Sequence, residues 1–343
     1  MRGTYLRRPI LFVAGILLIA ACCSNTGREK TAIAAGTFPK LDDLISLQRA
    51  CTIIATNLAA AIPGNDTTGN GLFNSVIDSA ADSLRTAAIV SSNPAVCRDA
   101  ILDLVYRTWH IGFDSCDIAV GTLLPHLVYR NRKGACLGAS LVILMLAEKL
   151  GCPIYGVVVP EHFYCRYDDG IRRVNIEPNR QGCDHPDDYY RKRYPVDHRP
   201  WYDFENLSKM EVIGVLCYDA GSICLRHRQL SAAIDYFREC LRRLPSFAEA
   251  KGNLAVAFAQ AGKKDSALTV FEALMAAHPD MINLAANYGT VAAAAGHYNK
   301  AIEIYRTGLA YYPSDPVLLW RMADAWARLG KNDSAAATRR MIR

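Results

Sequence analysis

Apolar residues at Leu41, Leu44, Ile45, Ala50, Ile53 and Ile54 follow the three-and-four spacing of a helix with one inward face. The stretch "PGNDTTGNG" interrupts this pattern. Helical patterns resume over about 72 to 90 and 95 to 109, the second introduced by "SSNP", a capping residue followed by proline. Further on, Leu141 to Ala147 is apolar without a break, which predicts a helix buried all round. Gly134 breaks the segment before it, and Gly151 followed by Cys152-Pro153 stops it. The period then changes. "PIYGVVVPEHFYCRYDDGIRRVNIEPNRQG" reads as an apolar strand followed by a hairpin, with Asp169-Gly170 as a two-residue turn. That turn would pair residues whose numbers sum to 339, setting His162 opposite Glu177 and Asn175 opposite Tyr164.

The second half repeats itself. Gly262, Gly296 and Gly330 recur every 34 residues, as do Ala233, Ala267, Ala301 and Ala335, and Pro245, Pro279 and Pro313. A glycine lets the chain turn between two helices, an alanine permits their close approach, and a proline ends the second helix. Phe237, Phe271 and Tyr305, each four residues after an alanine, fill the seam between helices. Spacing and residue types resemble the tetratricopeptide repeat, a helix-turn-helix unit of about 34 residues. Three units are expected from about 214 to 315, with a truncated, capping fourth from Leu319 to Arg343. Arg228 stands where the first unit should have its glycine. Cys217, Cys224 and Cys240 fall at interhelical packing positions and read as small core residues.

Candidate chemistry lies between these halves. In "RKGACLG", Cys136 falls in the first turn of the buried helix, where free amides and the helix dipole favour a thiolate. Opposed residues in an antiparallel ladder have Cβ atoms ~4.5 to 5.5 Å apart, so Glu177 could orient His162. Asn175, on the diagonal, is the fallback third member. A thiol, an imidazole and a carboxylate are the parts of an acyl-transfer site: the histidine takes the thiol proton, the carboxylate fixes its tautomer, and sulfur attacks a carbonyl carbon. The Cys136 backbone amide is the natural first oxyanion donor. His162, Cys165, Cys183 and His185 do not make a convincing metal site, since alternation sends 162 and 165 to opposite faces.

At "RKGACLG", "LAEKLGCPIYGVVVPEHFYCRY" and "NIEPNRQG" the sequence is similar to the transglutaminase-like superfamily, specifically to bacterial lipoproteins that couple that domain to tetratricopeptide repeats. The resemblance runs from roughly Lys40 to Tyr194. It implies an α+β papain-like domain, a helical N-terminal part followed by a central helix on an antiparallel sheet, and then an all-α repeat solenoid. Carried across by motif, Cys136 is the nucleophile, His162 the base and Glu177 the orienting acid. Leu137 departs from the aromatic residue many members have after the cysteine, and Glu177 from the more usual aspartate.

The start "MRGTYLRRPILFVAGILLIAACCSN" has a basic region, an apolar run from Ile10 to Ile19, and small residues before Cys22. Ile19-Ala20-Ala21-Cys22 looks like a lipobox, so residues 1–21 are expected to be a signal peptide and Cys22 the lipidated residue. Residues 22–39 would form a linker, 40–210 the transglutaminase-like domain and 211–343 the repeats. The expected place is a bacterial cell envelope, lipid-anchored, with Cys23 favouring the outer membrane. The formal charge of +6 loses Arg2, Arg7 and Arg8 with the leader, a surplus too mild to argue for nucleic acid. Of twelve cysteines none forms a CxxC pair, so the chain does not read as a disulfide scaffold. "YYRKRYPVDHRPWYDF" reads as a solvated connector packing its aromatics against the sheet. No cofactor or metal is expected. The functions expected are cysteine-dependent hydrolysis or transfer of amide bonds in a protein or peptide presented by the repeats, or, alternatively, a non-catalytic envelope scaffold using the repeat surface.

Overall fold

The computed structural model describes residues 41 to 342 except 42–43, 63–67, 87–92, 115–117, 196–201 and 282. The expected signal peptide, its lipidated Cys22 and the whole of the linker lie outside the described residues.

Helix α1 spans Leu47–Ala61, its first turn capped by Ser46, whose hydroxyl accepts from the Arg49 amide. Helix α2 covers Asn70–Thr86. Helix α3, Pro94–Leu102, starts as "SSNP" predicts: Asn93 Oδ1 accepts from the Ala95 amide at 3.0 Å and proline takes the first helical position. It runs on into a π-helical turn, Asp103–Thr108. Two short helices, α4 (Val120–Leu123) and α5 (Pro125–Asn131), and a parallel pair of two-residue strands, β1 (Gly112–Phe113) and β2 (Lys133–Gly134), lead into α6, Cys136–Leu150. Every residue of α6 from Cys136 to Ala147 is buried, as its unbroken apolar run requires. Gly151 closes it in the left-handed region at φ 66°.

Strands β3 (Ile154–Val159), β4 (His162–Asp168) and β5 (Arg173–Ile176) form an antiparallel sheet in that order. The hairpin expected around Asp169-Gly170 exists, but its register differs. Asp168 faces Arg173 and Arg166 faces Asn175, so four residues, 169–172, make the loop. Asp169 accounts for the wider turn: its Oδ1 accepts from the amides of Ile171 and Arg172, at 2.9 and 2.7 Å, while Tyr167 donates its hydroxyl to Oδ2. Direct cross-strand pairing of His162 with Glu177, and of Asn175 with Tyr164, is therefore not what the ladder shows. A slip of two residues preserves which face each side chain takes, whereas a slip of one would have inverted them all. The even-numbered face of β4 lies over α7, Asp187–Arg193. There Tyr164 and Tyr190 stack with centroids 3.8 Å apart, beside Val157, Val159 and Phe204. Tyr190 and Phe204 pack against the sheet as expected of this stretch, but Tyr190 does so from a helix instead of a connector, and Tyr202 packs against Phe247 of the repeats.

The repeats form four helical pairs: α8 (Lys209–Arg226) with α9 (Leu230–Arg243), α10 (Ala248–Gln260) with α11 (Lys264–Ala277), α12 (Leu284–Ala294) with α13 (Tyr298–Tyr311), and α14 (Pro316–Arg328) with α15 (Asn332–Arg340). The fourth pair has both its helices, the second being the shorter, and starts at Pro316 instead of Leu319. Gly262, Gly296 and Gly330 turn between helices at φ 76°, 86° and 75°. Arg228 takes the same left-handed turn at φ 58° without glycine's freedom. Cys217, Cys224 and Cys240 are fully buried.

The first pair is docked on the preceding domain. Every residue of α8 from Val212 to Leu225 is buried, because α9 packs on one side and α1 on another. Tyr236 donates its hydroxyl to the Ile54 carbonyl at 3.2 Å, and Tyr202 bonds Glu249 at 3.0 Å. The Leu207 amide donates to the Gly156 carbonyl at 2.8 Å, extending the edge of β3.

Candidate active site

The α6 N-terminus and the start of β4 meet at one cavity. Ala135 precedes the helix in extended conformation and its amide donates to the Thr122 carbonyl, which fixes the entry of the chain. Amides in the first turn of a helix have no intrahelical acceptor, so Cys136 sits where an anion is favoured. His162 opens β4 directly after the tight Pro160-Glu161 turn, in which Glu161 adopts φ 62°. Its Nε2 lies 2.9 Å from Glu177 Oε2, with both side chains buried. Cys136 adjoins the same imidazole. Since Nε2 is engaged by Glu177, Nδ1 is the nitrogen left for the thiol.

Glu177 reaches the histidine diagonally across the hairpin, at the point where β5 gives way to a single 3-10 turn, Pro178–Arg180. Its second oxygen, Oε1, accepts from the Asn179 amide at 3.0 Å, which pins the carboxylate. Asn175, the fallback, is spent elsewhere: its Oδ1 accepts from Arg166 Nε at 2.7 Å, and its Nδ2 donates to the His185 carbonyl and to Asp187. The imidazole's partner is therefore Glu177.

Two features around the triad are not visible in the hydrophobic pattern. Tyr194 stacks on His162, with centroids 4.7 Å apart and planes 13° from parallel, and holds the ring's orientation. Arg166 is wholly buried and donates to Asn175, the Phe204 carbonyl, the Tyr164 hydroxyl and Asp187, tying β4 to β5, α7 and the connector. The sole hint in the sequence was an arginine at an inward position of an otherwise apolar strand.

Burial works against a charged imidazolium, yet hydrogen bonding and charge from Cys136 and Glu177 outweigh it and push His162 up to about 9 from its ordinary 6.5. For Glu177 burial would raise the carboxyl, but His162 and the Asn179 amide hold it below its ordinary 4.5. A histidine raised on folding stabilises fully below pH 6.5, and that contribution fades as pH climbs through 9. A carboxyl lowered on folding stabilises fully above pH 4.5 and loses its contribution as pH falls through the lowered value. The pair therefore contributes most between pH 4.5 and 6.5. Glu177→Gln should flatten the alkaline decline in stability between pH 6.5 and 9 by about 1–2 kcal/mol, read from urea unfolding at each pH. Parallel curves for the two proteins would show that the carboxylate does not hold the proton on the imidazole.

The cavity beside the thiol has about 420 Å³ of free space, part of it open to solvent. Leu137, Val158 and Phe163 line one side and Tyr202, Val215 and Phe247 another, so the repeat array contributes to its wall. Among the described residues, no group of three or more His, Cys, Asp or Glu could hold a metal ion.

A thiol at a helix mouth, beside an imidazole that a buried carboxylate holds, on an α+β core with a helical solenoid behind it, is the arrangement of a papain-like thiol domain fused to repeats. Residues 73–193 match the transglutaminase-like superfamily, and residues 218–282 and 289–341 match the tetratricopeptide repeat; the chain thus carries a transglutaminase-like domain followed by tetratricopeptide repeats. No curated protein matches the chain. Solved structures similar to it include MamA, with 18% identity over 44% of this chain and 81% of that one at a TM-score of 0.36. MamA AMB-1 shows 15% identity over 45% and 94% at 0.33.

Proposed function

We propose that the protein is a cysteine-dependent acyl-transfer enzyme that hydrolyses or transfers amide bonds of a protein or peptide substrate. The observation that carries this reading is the connected set Cys136, His162 and Glu177, of which the thiol and the imidazole line one cavity while the carboxylate stands behind the histidine. Cys136 Sγ attacks the carbonyl carbon and its proton passes to His162; as the carbon–nitrogen bond breaks, His162 returns that proton to the leaving amine. The resulting thioester is released by water or by a second amine. Glu177 holds Nε2 and so leaves Nδ1 as the nitrogen free to exchange the proton with sulfur. The first repeat, seated against the cavity, would present the substrate. Tethering through a lipid on Cys22, in the envelope of a bacterium and favouring its outer membrane, is the part of the proposal that rests on the lipobox-like order Ile19 to Cys22. No helix among the described residues is long and apolar enough to cross a membrane.

An activated ester tests the site without knowledge of the substrate. Mixing with p-nitrophenyl acetate should release a burst of nitrophenolate approaching one equivalent per chain, with the acyl group found on Cys136 by mass spectrometry and no burst in Cys136→Ala. A protein that gives no burst and no adduct at Cys136 is not such an enzyme, and the scaffold reading of the repeats would take its place.

A further inference from the structure

The wall that the repeats give to the cavity is not neutral. Val215, Tyr218 and Asp219 lie three and four residues apart on α8, so they share one helix face, and all three line the space beside Cys136. Val215 and Tyr218 continue the apolar lining. Asp219 does not: it is 6% exposed, and no hydrogen bond reaches its carboxyl from a described residue. Buried carboxylates are normally paired, because leaving one unpaired in an apolar setting costs free energy. The cation acting on it is Arg226, about 10 Å further along the helix, whose guanidinium donates to the Ile118 carbonyl. That influence is weak: burial pushes the Asp219 carboxyl up to about 7 against the lowering effect of Arg226. Glu161 adds a second carboxylate to the lining, and among the described lining residues there is no lysine or arginine.

We propose that Asp219, supplied by the first repeat helix, is a specificity-determining residue that selects acyl donors carrying an ammonium group, a lysine side chain or a free amino terminus, near the carbonyl that Cys136 attacks. This rests on the acyl-transfer reading of the site. The group assigned to Asp219 is the acyl part of the substrate, the part that stays on sulfur after the leaving group departs and can therefore be followed at Cys136. An ammonium ion would supply both the missing hydrogen bonds and the missing charge, in a setting whose low polarity strengthens the pairing. The inference also gives the docked repeat a role in the reaction. The solenoid does more than hold a partner near the site, since one of its helices completes the pocket.

The test uses the whole protein and three aryl esters: p-nitrophenyl acetate, the p-nitrophenyl ester of 6-aminohexanoic acid, and the same ester with its amine acetylated. The second-order rate of acylation at Cys136 is expected to be about tenfold or more higher for the ammonium ester than for its acetylated form. In Asp219→Asn, which keeps the shape of the side chain, that preference should vanish, the ratio of the two rates falling to about one. Thermal unfolding of both proteins checks that the variant retains its fold, and Asp219→Glu should keep part of the preference. Equal rates with the ammonium and acetylated esters would overturn the inference and leave the acyl-transfer reading standing. So would a preference that survives in Asp219→Asn, or a preference for the acetylated ester, which a protonated Asp219 donating to an amide carbonyl would produce. Absence of acylation by all three esters would instead overturn the acyl-transfer reading, and this inference with it.

Discussion

Replacing His162 by alanine is expected to slow alkylation of Cys136 by iodoacetamide at pH 7 by about 100-fold or more, the lower part of the range for losing a positioned proton acceptor. The thiol is buried among Ile118, Leu137 and other apolar neighbours. The partner on hand is an imidazole held protonated up to about pH 9 by Glu177 and by the sulfur itself. In the alanine variant that charge is gone, and nothing else in the cavity lining replaces it, since Asp219 and Glu161 are acidic. Among the other described cysteines, Cys97 is lowered by its hydrogen bond with Cys152 and has to be followed separately by mass spectrometry; five more are suppressed by burial. Burial pushes Cys51, Cys165, Cys217, Cys224 and Cys240 up, Cys165 to about 12, and these thiols should label slowly in both proteins. Cys183 is exposed and serves as an internal reference whose rate should not change. Rates at Cys136 that agree within about threefold between wild type and variant would mean that the imidazole does not activate the thiol. The acyl-transfer reading would then give way to the scaffold.

How far this site could be read from the sequence differs from residue to residue. Cys136 was legible because glycine, a cysteine and an unbroken apolar run specify a helix start without reference to anything distant. His162 and Glu177 were legible for a more forgiving reason. A two-residue turn was the wrong turn, since Asp169 caps a loop of four, but the error was an even number of residues and left both side chains on one face. Asn175 could not be decided in the same way, because its competitor for hydrogen bonds is Arg166, and whether a strand arginine turns inward depends on acceptors that come from α7 and the connector. The repeats were legible from their period, and the positions that repeat are those that fix the turn and the close helix contact. What the period does not encode is where the solenoid docks. The burial of α8 on all sides, and with it the placement of Asp219 beside the thiol, follows from contacts between segments far apart in sequence, such as Tyr236 with Ile54.

Arg166→Met should be the most damaging single change away from the thiol, costing about 3 kcal/mol or more, because several buried acceptors lose their donor together. The arginine is wholly buried, and four of its acceptors lie on four separate segments: Asn175 on β5, Asp187 on α7, Tyr164 on β4 itself and the Phe204 carbonyl on the connector. Methionine fills much of the same volume, so the loss would come from the acceptors left behind and not from a cavity. Asp187 keeps a partner in Asn175 Nδ2, but Asn175 Oδ1 and the Phe204 carbonyl do not gain a new donor by the change. A penalty of this size approaches the whole stability of many domains, so the variant is expected to unfold at a markedly lower temperature and urea concentration. Removing the matching charge as well separates packing from pairing: Arg166→Met with Asp187→Leu should recover part of the loss, because the half-buried Asp187 is then no longer left without its cation. The same experiment reaches the chemistry. His162 stands on β4 four residues before Arg166, and the Tyr194 that stacks on it follows α7, so loosening α7 from the sheet should also slow Cys136 alkylation. A variant that keeps wild-type stability would show that the four acceptors find other donors, and that the sheet does not depend on its buried cation to hold the histidine in place.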